Sequence, residues 1–85
     1  MSHSIFLRPA ATRDLKVLSP EVLARVEKAI ARLQINPRPP GAKKLVGYEN
    51  EWRVRVGDYR ILYVVDDGSH QIVIARIAHR REAYR

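Results

Sequence analysis

The spacing of apolar positions changes along the chain, and each change marks an element. Ile5, Phe6 and Leu7 stand in an unbroken run. A short apolar run of this kind reads as a buried first strand over Ser4 to Leu7. Pro9 suits the first turn of a helix, and Ala10 to Val17 then reads as a short helix that turns Leu15 and Leu18 inward. A stronger helix signal follows at Ser19-Pro20-Glu21. Ser19 can cap, Pro20 fits the first helical position, and Glu21 complements the positive end of the dipole. Leu23, Val26, Ile30 and Leu33 recur at spacings of three and four, which places them on one stripe, with Arg25, Lys28 and Arg32 away from it. The helix ends near Asn36, because Pro37 disfavours helical geometry in the residue before it.

Asn36-Pro37-Arg38-Pro39-Pro40-Gly41 is a stiff loop, too short to join two domains. Beyond it the period drops to two. Trp52, Val54 and Val56 alternate with Glu51, Arg53 and Arg55, the signature of a half-buried strand. Gly57-Asp58 matches a two-residue hairpin turn, since Gly tolerates the positive φ such turns need. Tyr59 to Val65 is the return strand, Asp66 to Ser69 a second turn, and Gln71 to Ala78 a final strand. The order is β-α-α-β-β-β, with the option of one extra short strand over Lys43 to Val46. This implies a single α+β domain over residues 1–85. Two N-terminal helices cover one face of a small, antiparallel-rich sheet, and the other face is open.

Composition narrows the function classes. Sixteen Lys and Arg against nine Asp and Glu give a net charge of +7, which favours an anionic partner, nucleic acid or an acidic protein. Arg dominates over Lys, and its planar fork grips phosphate at two points. Residues 1–42 carry net +4 and residues 43–85 net +3, so any basic patch must arise from folding. There is no Cys, which excludes disulfides and thiolate metal sites. No signal-peptide pattern and no run long enough to span a bilayer is present, so a cytoplasmic location is the default expectation.

The hairpin supplies the candidate chemistry. A turn at Gly57-Asp58 pairs Val56 with Tyr59, Arg55 with Arg60, Val54 with Ile61, Arg53 with Leu62 and Trp52 with Tyr63. Trp52, Val54, Val56, Tyr59, Ile61 and Tyr63 then share the core face, while Arg53, Arg55 and Arg60 share the other. Arg55 opposite Arg60 costs stability, by up to about 1 kcal/mol, and an anion between them would turn that repulsion into binding. The tail adds His79, Arg80, Arg81 and Tyr84, which the final strand should deliver near these arginines. His titrates near neutral pH, and Tyr84 can stack on a base. His3 and His70 read as incidental. No pairing of His with carboxylates has metal-ligand spacing, so no metal site is expected.

Glu51-Trp52-Arg53-Val54-Arg55-Val56-Gly57-Asp58-Tyr59-Arg60-Ile61-Leu62-Tyr63, followed by Arg76 to Arg85, resembles the RelE branch of the RelE/ParE toxins of type II toxin–antitoxin modules. The Lys43-Lys44-Leu45 segment, the two helices and the length are similar as well. The resemblance implies a ribosome-dependent mRNA endonuclease, working without metal or cofactor and neutralised by a cognate RelB-like antitoxin that wraps it. In that chemistry the ribose 2′-OH attacks the adjacent phosphate, leaving a 2′,3′-cyclic phosphate and a 5′-OH. By position, Arg53 and Arg55 take the places of two basic strand residues. Arg60 matches a phosphate-binding arginine, Arg81 one that assists the leaving oxygen, and Tyr84 a stacking aromatic. Lys43, Lys44 and Arg80 join Arg53 and Arg60 as expected RNA contacts.

One departure affects the mechanism. The best-known member of the family has lysines where this chain has Arg53 and Arg55, and one of them is proposed as the base. Arg stays protonated and is a poor base. Its role at Arg55 is then to stabilise phosphorane charge, and the expected base is His79, with Glu51, Glu49 or the ribosome as other sources. A ParE-like inhibitor of DNA gyrase that cuts no RNA is the alternative reading, and an inactive nucleic-acid-binding module is a third. The arginine set favours the nuclease, since a gyrase binder has no need of a phosphate cradle. The antitoxin's expected footprint is the outer helix surface and the arginine face, where an acidic or amphipathic segment suits the charge.

Overall fold

Both helices begin at a proline, and they are held in place by different means. In the computed structural model, which describes residues 2–45, 47 and 50–79, helix α1 spans Pro9–Lys16 and helix α2 spans Pro20–Ile35. Ser19 caps α2, its Oγ accepting from the Val22 N–H at 3.4 Å. Val26 and Leu33 on its inner stripe are wholly buried. Helix α1 has no side-chain cap. Tertiary contacts with the sheet hold it instead, as expected for a helix of two turns, which is too short to persist alone.

The strands are β1 (Ser4–Leu7), β2 (Lys43–Lys44), β3 (Glu51–Val56), β4 (Tyr59–Asp66) and β5 (Gln71–His79). They form one sheet in the order β1-β5-β4-β3-β2, with β1 parallel to β5 and the remaining pairs antiparallel. The extra strand is present as β2, in two residues. The hairpin register is the one expected from the two-residue turn, Val56 opposite Tyr59 and Arg55 opposite Arg60. The expectation of a buried first strand needs correction. β1 is an edge strand, and Phe6 and Leu7 are 50% and 40% exposed. Strand alternation turns only part of an apolar run toward the core, and an edge strand has no neighbour on its outer side. Ile5 is the β1 residue that packs on the core.

The core lies between the sheet and the helices. It is built from Ile61, Tyr63 and Val65 of β4, Ile72, Ile74 and Ile77 of β5, and Ala11, Val26 and Leu33 of the helices. Each large aliphatic side chain buried there contributes roughly 1.5–3 kcal/mol. The β5 set changes parity: Ile72 and Ile74 are two apart, but Ile77 is three further on. The sheet accommodates this with a register shift, Leu62 facing Arg76 while Tyr63 faces Ile74. The extra residue in β5 is a β-bulge, which sends later side chains to the other face.

Asp14 of α1 holds this bulge. Its Oδ2 accepts from the Ile77 N–H at 2.9 Å and from Arg76 Nε at 2.7 Å, while its Oδ1 accepts from Arg76 Nη2 at 3.2 Å. One carboxylate therefore fixes the shifted register and docks α1. Asp14→Ala should cost about 1–3 kcal/mol, because it leaves a part-buried N–H without its acceptor. Urea unfolding of the two proteins measures this, and an unchanged midpoint would remove Asp14 from the account of the bulge.

Tyr63 sits in the core with its hydroxyl donating to the Pro37 carbonyl at 2.7 Å. Burial pushes its pKa from 10.0 up to about 12, against a lowering influence from Arg38. The protonated phenol is thus favoured by folding. Its contribution is complete below pH 10 and is lost as pH rises toward 12. Tyr63→Phe should be less stable at neutral pH, by about 0.5–1.5 kcal/mol. It should also show a shallower loss of stability between pH 10 and 12, and equal slopes for both proteins would contradict the assignment.

Candidate nucleic-acid interface

The face of the sheet away from the helices carries a cleft of about 170 Å³ lined by Gly41, Lys43, Arg53, Arg55 and Arg60. Three strands supply its four cations. Lys43 of β2 lies opposite Arg53 of β3, and Arg55 of β3 lies opposite Arg60 of β4. Cross-strand partners point to the same face, so the register alone gathers all four. No carboxylate lines the cleft among the described residues. Arg55 Nε donates to the Gly57 carbonyl at 3.1 Å, which turns that guanidinium toward the hairpin tip. Gly57 has φ of +58 and Asp58 has no positive φ, the pattern of a turn that needs Gly in its first central position.

The other expected site residues divide in three ways. Lys44 pairs with Trp52 and so lies on the helix side of β2, away from Lys43. His79 pairs with Tyr59, and the two rings meet edge to face at 5.3 Å. Tyr59 packs against the core, so the His79 ring is on the helix side of the sheet and not beside the arginines. The bulge is the reason. Uninterrupted alternation from Ile72 and Ile74 would have placed His79 on the arginine face. Glu51 shares the strand with Arg53 and Arg55 but does not line the cleft. Glu49, Arg80, Arg81 and Tyr84 lie outside the described residues.

Two features escaped the sequence reading. Gly41, with φ of +92, forms a wall of the cleft, and the only sequence signal for it was a Pro-Gly turn pair. His3 is buried, with Nε2 3.7 Å from Asp67 Oδ1, too long for a hydrogen bond, and its ring against that of His70 at 5.3 Å. No group of three or more metal-ligating side chains occurs among the described residues. No helix among them is long and apolar enough to cross a membrane.

Two helices on a five-stranded mixed sheet, with a cationic cleft on the face away from them, define a small α+β domain suited to binding anions. Comparison with known proteins places it more closely. Residues 5–84 match the family described as ParE toxin of type II toxin–antitoxin system, parDE. Toxin RelE of Mycobacterium tuberculosis is 34% identical, with 98% of this chain and 87% of that protein aligned. Toxin RelG of the same organism is 35% identical over 100% of this chain and 99% of its own. Among solved structures, the archaeal RelE–RelB complex from Pyrococcus horikoshii matches with a TM-score of 0.85 at 25% identity, covering 98% of this chain and 100% of that one. The M. tuberculosis RelBE2 toxin–antitoxin complex matches at 0.78 and 35%, covering 94% and 100%. The chain belongs to the RelE/ParE superfamily of type II toxins, and its curated relatives lie on the RelE side.

The opposed pair Arg55–Arg60 predicts a salt-dependent stability. Arg55→Thr should stabilise the protein at low ionic strength, by no more than about 1 kcal/mol. The gain should vanish at high salt, where the repulsion is already screened. Urea unfolding at two ionic strengths checks this, and an equal loss of stability at both would show that the arginines do not strain the hairpin.

Proposed function

We propose that the protein is a RelE-like toxin that cleaves mRNA on the ribosome. The observation that carries this reading is the cleft itself, with four cationic side chains and no lining carboxylate among the described residues. Such a site suits the charge of a phosphodiester, which grows as the 2′-OH adds to phosphorus. The ribose 2′-oxygen forms a bond to the adjacent phosphorus and the bond to the 5′-oxygen breaks. The 2′-proton leaves to a base and the 5′-oxygen takes up a proton, giving a 2′,3′-cyclic phosphate and a 5′-OH end.

Arg60 and Arg53 hold the phosphate oxygens, and Arg55 meets the charge of the phosphorane. Pre-set donors aimed at developing charge are commonly the largest catalytic contribution. Lys43 adds a further cation along the RNA backbone. The resemblance gives Arg81 the leaving oxygen, Tyr84 a stacking role and Arg80 an RNA contact. His79 has no place at the cleft as its ring is oriented, so the proton acceptor comes from elsewhere, Glu49, Glu51 or the ribosome. A RelB-like antitoxin is the proposed partner, since the Pyrococcus horikoshii and M. tuberculosis structures similar to this chain are a RelE–RelB and a RelBE2 toxin–antitoxin complex. An acidic segment over the arginine face would suit its charge.

The test adds the purified protein to translating ribosomes and maps mRNA 5′ ends. Codon-positioned cuts are expected, and Arg60→Ala should slow them roughly 10²- to 10³-fold. Intact mRNA together with blocked DNA supercoiling by gyrase would replace this reading with the ParE-like one. Free RNA is a weaker assay, because orientation by the ribosome can carry much of the rate.

A further inference from the structure

The segment from residue 36 to residue 42 joins α2 to β2 and crosses the edge of the sheet. At one end Arg38 lies over the Trp52 ring, 5.2 Å from its centroid, on the side of the core. At the other end Gly41 lines the cationic cleft on the opposite face. Pro37, Pro39 and Pro40 have no N–H to donate. Among the described residues, its backbone-to-backbone bonds are Asn36 N–H to Arg32 O at 2.9 Å and Ala42 N–H to Pro39 O at 2.9 Å. Backbone pairing therefore does little to place this segment. Side chains do it.

Arg38 grips Asp67 with a two-point fork, Nη2 to Oδ2 at 2.7 Å and Nη1 to Oδ1 at 3.3 Å. Tyr63 holds the Pro37 carbonyl at 2.7 Å, and the Arg38 N–H donates to Asn36 Oδ1 at 3.1 Å. Asp67 lies in the β4–β5 turn, which is itself fixed by the Ser69 N–H donating to Asp66 Oδ1 at 3.2 Å. The Arg38 guanidinium holds the Asp67 carboxyl below its ordinary range. Both partners are solvent-exposed, and exposed pairs add little to global stability. Their geometry is better suited to fixing a loop than to holding the fold.

We infer that Arg38 and Asp67 are positioning residues for the cationic cleft. Their fork ties the 36–42 segment to the β4–β5 turn, and the stiff Pro39-Pro40 pair transmits that position to Gly41 and Lys43. Neither residue touches the cleft. Each sets where its outer wall stands, and so how well a phosphate is enclosed between Lys43 and the arginines. The inference rests on reading the cleft as an RNA phosphate site.

The test uses Arg38→Gln and Asp67→Asn, with Asp67→Glu as the conservative rescue and Arg60→Ala as the cleft control. Amide hydrogen exchange at Ala42 and Lys43 is read beside thermal unfolding. Binding is read with a short 2′-O-methyl RNA, which cannot react by 2′-OH attack. Exchange at Ala42, whose N–H donates to the Pro39 carbonyl, and at Lys43 should quicken about tenfold in both clamp variants, as expected for a local opening. Affinity for the RNA should fall about three- to tenfold, since small displacements of binding groups are costly. The melting midpoint should stay constant, and Asp67→Glu should restore most of both properties. Unchanged exchange at Ala42 and Lys43 would overturn the inference, as would faster exchange throughout the sheet with a lowered midpoint. If exchange quickens and RNA binding holds while Arg60→Ala weakens it, the clamp fails as a positioning device and the cleft reading stands. If Arg60→Ala also binds like the parent, the cleft reading fails and takes this inference with it.

Discussion

The two-residue turn at Gly57-Asp58 sets the parity of β3 against β4, and most of the molecule depends on that parity. With Val56 opposite Tyr59, the residues Val54, Ile61 and Tyr63 reach the core and Arg53, Arg55 and Arg60 reach the face away from the helices. A slip of one residue would exchange the two sets. It would expose the apolar side chains and bury guanidinium groups, at a cost of several kcal/mol for each uncompensated ion. The repulsion between Arg55 and Arg60 is small beside this, at most about 1 kcal/mol. The hairpin can therefore carry two opposed cations on the face away from the helices without losing its register.

The β5 bulge has the opposite effect, since it breaks the alternation that a regular strand would continue. Ile72 and Ile74 meet the core, and the extra residue then brings Ile77 inward as well. Asp14 supplies the compensating bonds, so the shift leaves no orphaned N–H at Ile77. The same device docks α1 against β5 and turns His79 to the helix side. A single irregularity in one strand thereby decides on which side of the sheet His79 lies.

The cleft shows how a chain whose charge is spread evenly can still have a basic focus. Among the described residues its cations come from β2, β3 and β4, and Gly41 on its wall comes from a proline-rich segment anchored on the far side of the sheet. Concentrating positive charge in this way requires rigid supports, because the cations repel one another when no anion is bound. The hairpin provides one support, and the fork between Arg38 and Asp67 provides another.

The sequence by itself determined the helix α2 with its Ser19 cap, the hairpin register, and the shared face of Arg53, Arg55 and Arg60. Each of these follows from local rules: capping, strand alternation and the φ demanded by a two-residue turn. Family membership was also legible, because the residues that resemble the RelE toxins lie in that hairpin and the tail. Tertiary structure decided the rest. The edge position of β1 depends on a parallel pairing with β5 across more than sixty residues, which no local pattern encodes. The orientation of His79 depends on a bulge stabilised by a carboxylate from another element. The wall at Gly41 depends on a segment with little backbone pairing, whose place is set by Asp67, Trp52 and Tyr63. Local rules fix which face a side chain takes within one regular element, whereas irregular joints and long-range pairings take their geometry from the elements they meet.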